Sequence, residues 1–329
     1  MNSAILLVNL GTPEAPTAPA LRRYLAEFLG DPRVVELPRL LWLPILYGII
    51  LNTRPAKSAE KYAKIWTTEG SPLKVHTERQ AKLVKGLLGH RGINDIAVAW
   101  AMRYGQPSVA TALDQLTQAG AKRVVVVPLY PQYAGSTTTS TKDAVQAWQR
   151  RNPDATEIIE IDDYHEHTGY IGALAQSVRD HWMKQGKPDK LVMSFHGIPK
   201  RSVDRGDPYA GHCRRTAELL AAELGLTADA WQLTFQSRFG AAEWLQPYTQ
   251  PTLEQMGRDA VKCVDVICPG FPCDCLETLE EIAMECRDAF LASGGREFRY
   301  ISCLNERPDW IAALTDIALT NLDSHAAKA

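Results

Sequence analysis

The residues of this chain best suited to chemistry begin with one histidine in its second half. His196 stands at the end of a predicted buried strand, within the sequence Ser-Phe-His-Gly-Ile-Pro that runs from Ser194 to Pro199. Because Gly and Pro break the chain directly after it, we expect the imidazole to project into a cleft between two lobes. An imidazole can accept a proton near neutral pH or bind a metal ion. The alternative is a histidine packed in the core with its hydrogen bonds satisfied.

A second set of chemically capable residues is acidic. Asp274 is a suitable N-cap for a predicted helix, and Glu277, three residues later, would complete a variant of the capping box. Glu277, Glu281 and Glu285 are spaced four apart, so on an α-helix they would share one face, at a cost of a few tenths of a kcal/mol per repelling pair. Such an acidic ladder could guide a divalent cation or carry protons away. The alternative is a solvated helix face.

Strands predicted to position these residues are short apolar runs bounded by Gly or Pro. In several of them, most clearly Arg123–Leu129, apolar residues are consecutive, which is typical of parallel strands covered on both faces. The predicted strands are Ala4–Leu10, Ile96–Arg103, Arg123–Leu129, Glu157–Ile161, Lys190–Phe195, Trp231–Gln236, Cys263–Cys268 and Phe298–Ser302.

Segments with helical periodicity alternate with these strands, which predicts an α/β fold of two similar doubly wound lobes, each a parallel sheet flanked by helices. The predicted helices are Leu21–Leu29, Val75–Leu88, Ser108–Gln118, Tyr170–Met183, Cys213–Leu224, Thr252–Val261 and Cys275–Ala292. We predict an N-terminal lobe over 1–160 and a C-terminal lobe over 161–305. The remaining residues, 306–329, would form a helix that packs back on the first lobe.

The segments that follow the predicted strands indicate what binds there. In doubly wound sheets, ligands lie beyond the carboxyl ends of the strands. These segments are rich in aromatic, hydroxyl and amide groups, as in Tyr130-Pro131-Gln132-Tyr133. Such a lining suits a large flat ligand held by a few polar anchors.

Several phrases of the sequence, taken together, resemble the ferrochelatases. Ser-Phe-His-Gly-Ile-Pro and Asp-Cys-Leu-Glu-Thr-Leu-Glu-Glu look like two signature segments of that family, which implies a chelatase-like fold. Other matches follow in the family's order from about Ile5 to Leu304. They are Asn-Leu-Gly-Thr-Pro at 9–13, Gly-Ser-Pro-Leu at 70–73, Met-Arg-Tyr-Gly at 102–105, Leu-Tyr-Pro-Gln-Tyr at 129–133 and Phe-Gln-Ser-Arg-Phe-Gly at 235–240.

This resemblance implies an enzyme, a lyase that inserts Fe²⁺ into protoporphyrin IX to give protohaem in the terminal step of haem biosynthesis. It implies that His196 and Glu277 are catalytic and bind the metal, and that Asp274, Glu281 and Glu285 relay protons or metal. It also implies a set of porphyrin-binding residues, with Arg54, Tyr62 and Ser71 near the propionates. That set is Leu10, Arg54, Tyr62, Ser71, Arg103, Tyr104, Tyr130, Trp244 and Phe271.

An almost wholly apolar segment covers residues 37–51. At about a dozen residues, its core of Leu40–Leu51 is too short to span a bilayer, which takes roughly 20. In ferrochelatases the matching segment forms an apolar lip over the porphyrin slot, and such a lip could touch a membrane through Trp42 and Leu43. The alternative is a buried core helix, which Pro44 and Gly48 disfavour. We therefore expect a cytoplasmic protein with peripheral contact to the inner face of the membrane.

Composition and cysteine usage exclude other classes. A net charge of −2 argues against a nucleic-acid partner. All seven cysteines lie between Cys213 and Cys303, which is not the pattern of a disulfide framework and suits a reducing cytoplasm. We expect no permanently bound cofactor. An iron–sulfur cluster is not expected, because no Cys follows Cys303 and because Cys263 and Cys268 would point to opposite faces of one strand. The alternative is that Cys268, Cys273 and Cys275 converge with Cys303 or Cys213.

Three alternative functions are compatible with an α/β fold of this kind. A nicotinamide-dependent oxidoreductase is disfavoured, since Asn9-Leu10-Gly11-Thr12-Pro13 lacks the glycine-rich pyrophosphate turn. A cobalt chelatase of tetrapyrrole synthesis would share the fold but usually has a pair of metal-binding histidines. A non-catalytic tetrapyrrole-binding protein would not need His196 and the acidic ladder together. Leu10 and the apolar lip favour protoporphyrin IX over coproporphyrin as the substrate.

Overall fold

A computed structural model describes residues 2–153, 156–240 and 242–326 of the chain. The chain forms two compact units. The first comprises Met1–Tyr130, Ala134–Asp163 and Ile311–Ala329, and the second comprises Pro131–Tyr133 and Tyr164–Trp310.

The first unit is built on a parallel sheet of four strands: β1 (Ser3–Gly11), β2 (Ile96–Tyr104), β3 (Arg123–Pro128) and β4 (Glu157–Glu160). Their order across the sheet is β2-β1-β3-β4. The four consecutive valines of β3 are all buried, as expected when helices cover both faces of the sheet.

Helices connect the successive strands of this sheet, as in a doubly wound fold. They are α1 (Ala18–Gly30), α2 (Arg39–Ile45), α3 (Leu51–Ile65), α4 (Pro72–His90), α5 (Val109–Gln118) and α6 (Ser140–Gln149), with π-helical turns π1 (Leu46–Ile50) and π2 (Gly135–Thr139). Proline at the start of α1 and α4 suits the first helical turn, where the missing N–H has no acceptor to lose.

The second unit repeats the same plan. Its strands are β5 (Lys190–His196), β6 (Trp231–Gln236), β7 (Cys263–Ile267) and β8 (Glu297–Ile301), all parallel and ordered β6-β5-β7-β8. Its helices are α7 (Thr168–Gln185), α8 (Lys200–Asp204), α9 (Tyr209–Leu224), α10 (Thr249–Arg258) and α11 (Arg287–Ala292), with the π-helical segment π3 (Glu277–Cys286) before α11. The last helix, α12, spans Pro308–Ala326, and its residues from Ile311 onward belong to the first unit.

Equivalent cross-strand ion pairs occur in the two sheets. In the first, Arg123 on β3 lies opposite Glu157 on β4, and Nε donates to the carboxylate at 2.9 Å. In the second, Asp265 on β7 lies opposite Arg299 on β8 at 2.6 Å. The Asp265 side chain is fully buried and also accepts a 2.8 Å hydrogen bond from the Trp182 indole. Burying the Asp265 carboxylate carries a large desolvation cost, which its bonds to Arg299 and Trp182 must offset. The half-exposed Glu157 carboxylate incurs no comparable cost.

This architecture confirms the predicted fold class, with all eight strands within a residue or two of the predicted bounds. The division at residues 160 and 305 stays a prediction. Among the described residues, no helix is both long enough and apolar enough to cross a membrane.

Candidate active site

The position and hydrogen bonding of His196 determine which ring nitrogen carries the lone pair in the neutral form. It is the last residue of β5, half-buried, with its ring centroid 6.3 Å from that of Trp244 and 6.4 Å from that of Phe271. Nδ1 lies 2.5 Å from the Gly197 carbonyl oxygen. Because a carbonyl only accepts, Nδ1 carries the hydrogen, and the neutral ring therefore has its lone pair on Nε2. The side chain is set up to accept a proton or bind a metal through that atom.

The predicted acidic ladder lies on a π-helix, not on the α-helix that was expected. The Glu277–Cys286 segment forms i→i+5 hydrogen bonds, so each turn takes more residues than an α-helical turn. Residues four apart still lie on one side, but they are offset in the opposite sense to an α-helix. Exposure rises along the series, because Glu277 and Glu281 are half-buried and Glu285 is exposed.

Glu281 is the member of the series with the most closely defined surroundings. Its carboxylate accepts the Ser237 N–H at 2.6 Å and the Ser237 hydroxyl at 2.5 Å. Burial raises the pKa of Glu281, and the Ser237 hydrogen bonds and the charge that nearby His196 carries when protonated oppose that rise. The Glu281 carboxylate therefore lies close enough to the His196 imidazole for their charges to interact.

Asp274 is a buried anchor at the start of this helical region. Its carboxylate accepts hydrogen bonds from the Tyr300 hydroxyl (2.6 Å), the Asn305 amide (2.6 Å) and the Thr278 hydroxyl (3.0 Å). The N–H of Cys275 donates to the Thr278 hydroxyl. These bonds tie the helix start to β8 and to the segment after it, so the structure gives Asp274 a structural role. The relay role remains a prediction.

The two predicted aromatic neighbours of His196 also lie in this unit. The indole N–H of Trp244 is buried and has no hydrogen-bond partner among the residues that the structure describes. Buried polar groups are nearly always paired, so this donor beside His196 is available to a ligand or a water molecule.

In the first unit, the predicted residues Arg103 and Tyr104 are joined by a residue that sequence reasoning missed. The Asp31 carboxylate accepts hydrogen bonds from Arg103 Nη2 (2.6 Å), the Tyr104 hydroxyl (2.8 Å) and the Ser140 hydroxyl (2.8 Å). Burial raises the pKa of Asp31, but these bonds, the Arg33 N–H and the Arg103 charge outweigh it, so the net pKa is lowered. The network joins the end of β2, at Tyr104, to Asp31, the first residue after α1.

The remaining predicted residues of the first unit are spread over separate elements. Ser71 is buried at the start of α4 and accepts a 2.7 Å hydrogen bond from the Thr12 hydroxyl. Arg54 and Tyr62 both lie on α3, the first exposed and the second buried. Leu10 lies near the end of β1, and Tyr130 follows β3 with its buried hydroxyl unpaired among the described residues.

Most of the apolar segment, residues 37–51, faces outward. Leu40 is 91% exposed, Leu41 65% and Ile49 56%. Trp42 is an exception, since it is buried and its indole N–H donates to the Leu29 carbonyl at 2.6 Å. The expectation that Trp42 would form the contacting surface is therefore wrong: its side chain packs into the first unit.

All seven cysteines lie in the described part of the chain, and each is a free thiol. Burial raises the pKa of Cys268, Cys275 and Cys303 well above the ordinary value. A raised pKa favours the neutral thiol, which is the form suited to core packing. The expectation that no iron–sulfur cluster is bound stays a prediction.

Two solved structures share the fold. SirB from Bacillus subtilis with Fe3+ matches with a TM-score of 0.58 at 13% identity, covering 99% of this chain and 98% of that one. The sirohydrochlorin chelatase SirB from Bacillus subtilis subspecies spizizenii, in complex with cobalt, matches with a TM-score of 0.55 at 13% identity, covering 98% and 95%. This likeness places the chain in the chelatase fold class.

Sequence comparison then identifies the family. A sequence profile of the ferrochelatases matches residues 2–322. The ferrochelatase of Aromatoleum aromaticum is 65% identical over 320 residues, covering 97% of this chain and 88% of that protein. The ferrochelatase of Methylibium petroleiphilum is 60% identical over 319 residues, with coverage of 97% and 88%. The chain belongs to the ferrochelatase family.

Sequence reasoning missed Asp31, Ser140, Gln236 and Ser237 as members of these networks. Gln236 and Ser237 lay in a phrase already recognised as family-like, at the end of a predicted strand, and that position is the signal that could have identified them. Asp31 carries no comparable signal, because its partners Arg103 and Ser140 lie far away in the sequence.

Proposed function

We propose that this chain inserts Fe²⁺ into protoporphyrin IX, giving protohaem and two protons, in the terminal step of haem biosynthesis. Membership of the ferrochelatase family supports the reaction class. The observation that carries the assignment within this chain is the hydrogen bond from Nδ1 of His196 to the Gly197 carbonyl, which leaves the lone pair of the neutral ring on Nε2.

The chemistry of metal insertion explains why such a group is needed. A free porphyrin holds two N–H protons inside its ring, and its nitrogen lone pairs lie close to the ring plane. Binding must hold the macrocycle bent, at a strain of about 1–5 kcal/mol drawn from contacts elsewhere on the substrate. A base must then take up the pyrrole protons, and a histidine is suited to do so near neutral pH.

In this proposal each unit supplies different groups. In the second, Nε2 of His196 accepts a pyrrole proton or binds the incoming Fe²⁺ with Glu277, and Glu281 and Glu285 carry protons toward the exposed end of π3. In the first, Arg54 and the hydroxyls of Tyr62 and Ser71 bind propionates, for which a guanidinium and hydroxyl donors are suitable partners. The apolar and aromatic residues of the predicted set contact the macrocycle.

The experiment is anaerobic incubation of the protein with protoporphyrin IX and Fe²⁺, followed by the haem absorption spectrum. We expect wild type to form haem, and His196→Ala to form none while binding protoporphyrin normally by fluorescence quenching. His90→Ala, on the last turn of α4, is the control and should retain full turnover. Near-normal turnover in His196→Ala would refute the assignment.

The same assay separates the alternatives. A non-catalytic tetrapyrrole-binding protein would bind protoporphyrin and form no haem. A cobalt chelatase would insert Co²⁺ into its own substrate in preference to Fe²⁺ into protoporphyrin IX. Neither is favoured, given relatives at 60–65% identity that are named ferrochelatases.

We further propose that the exposed part of residues 37–51 contacts the inner face of the cell membrane, where an apolar substrate could be taken up. Support comes from the outward-facing Leu40, Leu41, Tyr47 and Ile49, four large apolar side chains that are each more than half exposed. Large contiguous apolar patches on a surface commonly mark a membrane or partner contact.

Co-sedimentation with vesicles of phosphatidylglycerol and phosphatidylethanolamine tests this contact. Replacing Leu40 and Leu41 with Ser should weaken the vesicle binding constant by at least about a hundredfold if both side chains are fully buried, since each then loses an apolar transfer free energy of about 1.5–3 kcal/mol. Leu83→Ser is the matched control, because Leu83 is 42% exposed on α4, outside the segment. Unchanged partitioning of the double variant would exclude the membrane role.

A further inference from the structure

The end of β6 lies against the strand that carries His196. Gln236 is the register partner of His196, and the Gly197 N–H donates to the Gln236 carbonyl at 2.8 Å. The approach is close enough that a Cβ at position 197 would lie 2.9 Å from that oxygen. The backbone positions of residues 196 and 236 are therefore fixed relative to each other.

The side chain of Gln236 continues this connection to the acidic helix. It is buried, and its Oε1 accepts the Ser194 hydroxyl at 2.8 Å. The Glu277 carbonyl oxygen can only accept, so the amide nitrogen must face it: Nε2 donates to that oxygen at 2.7 Å, and this bond determines the orientation of the amide. One glutamine thus bridges β5 and the first residue of π3.

Ser237, the next residue, holds the carboxylate of Glu281. Its φ of 66° lies in the left-handed region, which non-glycine residues adopt in only a few per cent of cases. In this conformation the N–H reaches one carboxylate oxygen and the hydroxyl reaches the other, at 2.6 and 2.5 Å. Two short charge-assisted bonds to both oxygens fix the plane of the carboxylate as well as its position.

We propose that Gln236 and Ser237 are positioning residues for metal insertion, a two-residue clamp that sets the distance from His196 to Glu277 and Glu281. This inference rests on the proposed function. Partners that orient the ligands of a reacting metal typically contribute 10–100-fold in affinity or activity. The strained backbone of Ser237 is consistent with that role, because such strain concentrates at functional sites.

The test compares Ser237→Gly and Ser237→Ala in steady-state turnover of protoporphyrin IX and Fe²⁺. Both lose the hydroxyl and keep the N–H, but glycine adopts a positive φ without strain. We expect kcat to fall about tenfold in both variants, with the KM for protoporphyrin within twofold of wild type. Ser237→Gly should unfold at or above the wild-type temperature, so that its lost turnover cannot come from lost stability.

A double-mutant cycle with Glu281→Gln identifies the partner. In that background Ser237→Gly should change kcat less than twofold, because the interaction it removes is already weakened. Thr252→Ala, which removes a helical hydroxyl bonded to the Tyr248 carbonyl, is the control and should leave kcat unchanged.

The outcomes separate this inference from the proposed function. If wild type forms no haem, the proposed function fails whatever the variants do. If wild type turns over and Ser237→Gly matches it, the clamp is overturned and the function stands. A loss in Ser237→Ala alone would also overturn the clamp, because it would assign the effect to backbone conformation. Additive losses in the cycle would do the same.

Discussion

At the scale of single residues, two groups of this chain are held by close partners: Nδ1 of His196 by the Gly197 carbonyl, and the Asp31 carboxylate by Arg103, Tyr104 and Ser140. His196 and Glu277 could be predicted, because a strand end and a short acidic repeat are local patterns. The Asp31 network could not be predicted, because its members are brought together only when α1, β2 and α6 pack in the first unit. The fixed tautomer of His196 likewise follows from a geometry, Nδ1 against the Gly197 carbonyl, that spacing alone does not specify.

The lowered pKa of Asp31 makes a prediction about stability and pH. A carboxyl with a depressed pKa in the folded state stabilises the protein above its unfolded pKa of about 3.9, and this contribution is lost as pH falls through the folded value. We expect Asp31→Asn to lower the free energy of unfolding by about 1–3 kcal/mol at pH 7. The gap between variant and wild type should narrow as pH falls below about 4.

Urea unfolding across pH 3–8 measures this dependence. Asp143→Asn is the control, since its ion pair with Arg33 is largely exposed and should contribute less than about 1 kcal/mol. A difference for Asp31→Asn that stays constant with pH would show that charge is not the cause.

At the scale of elements, the strands were predicted well and several helices were not. Each strand is a short apolar run, and such a run can be recognised without knowing its tertiary contacts. Helices α2 and α3 were missed because Pro44 and Pro55 lie inside them, and proline usually ends a helix. The π-helical form of 277–286 also could not be foreseen, since a spacing of four suits an α-helix equally well.

The junction of β1 and β2 gives a prediction at this scale. Gly11, at the end of β1, has a φ of 123°, and a Cβ there would lie 1.8 Å from the backbone oxygen of Tyr104 on β2. Gly11→Ala should therefore force the two strand ends apart and destabilise the protein by more than about 2 kcal/mol. Chemical denaturation and the yield of folded protein would show the loss.

Gly86 on α4 provides the opposite case. A Cβ at that position meets nothing within 4 Å, and the residue lies inside a helix. Gly86→Ala should stabilise the protein by about 0.5–1 kcal/mol. Equal effects of the two substitutions would contradict the steric argument.

At the scale of the whole molecule, the two units each hold four parallel strands, as counting strands on either side of residue 160 predicted, and the structure adds that both have the same strand order. The count could not show that corresponding ion pairs in the two sheets differ in burial, and therefore in their contribution to stability. The ion pair between the third and fourth strands is partly exposed in the first unit and buried in the second.

That inequality can be measured with matched variants. Asp265→Asn should destabilise the protein by about 3–5 kcal/mol, because it leaves the Arg299 guanidinium without its buried partner. Glu157→Gln removes the corresponding pair of the first unit and should change stability by less than about 1 kcal/mol. Thermal unfolding followed by circular dichroism compares them, and similar losses would contradict the role given to burial.

The distribution of the cysteines has a practical consequence. All seven belong to the second unit, six of them are buried, and burial raises the pKa of the seventh, Cys263, to about 11. Alkylating reagents such as iodoacetamide attack the thiolate, so the native chain should react slowly at pH 7. Mass-spectrometric counting of alkylated thiols along a denaturant series would therefore follow the opening of one half of the molecule, with the other half chemically silent.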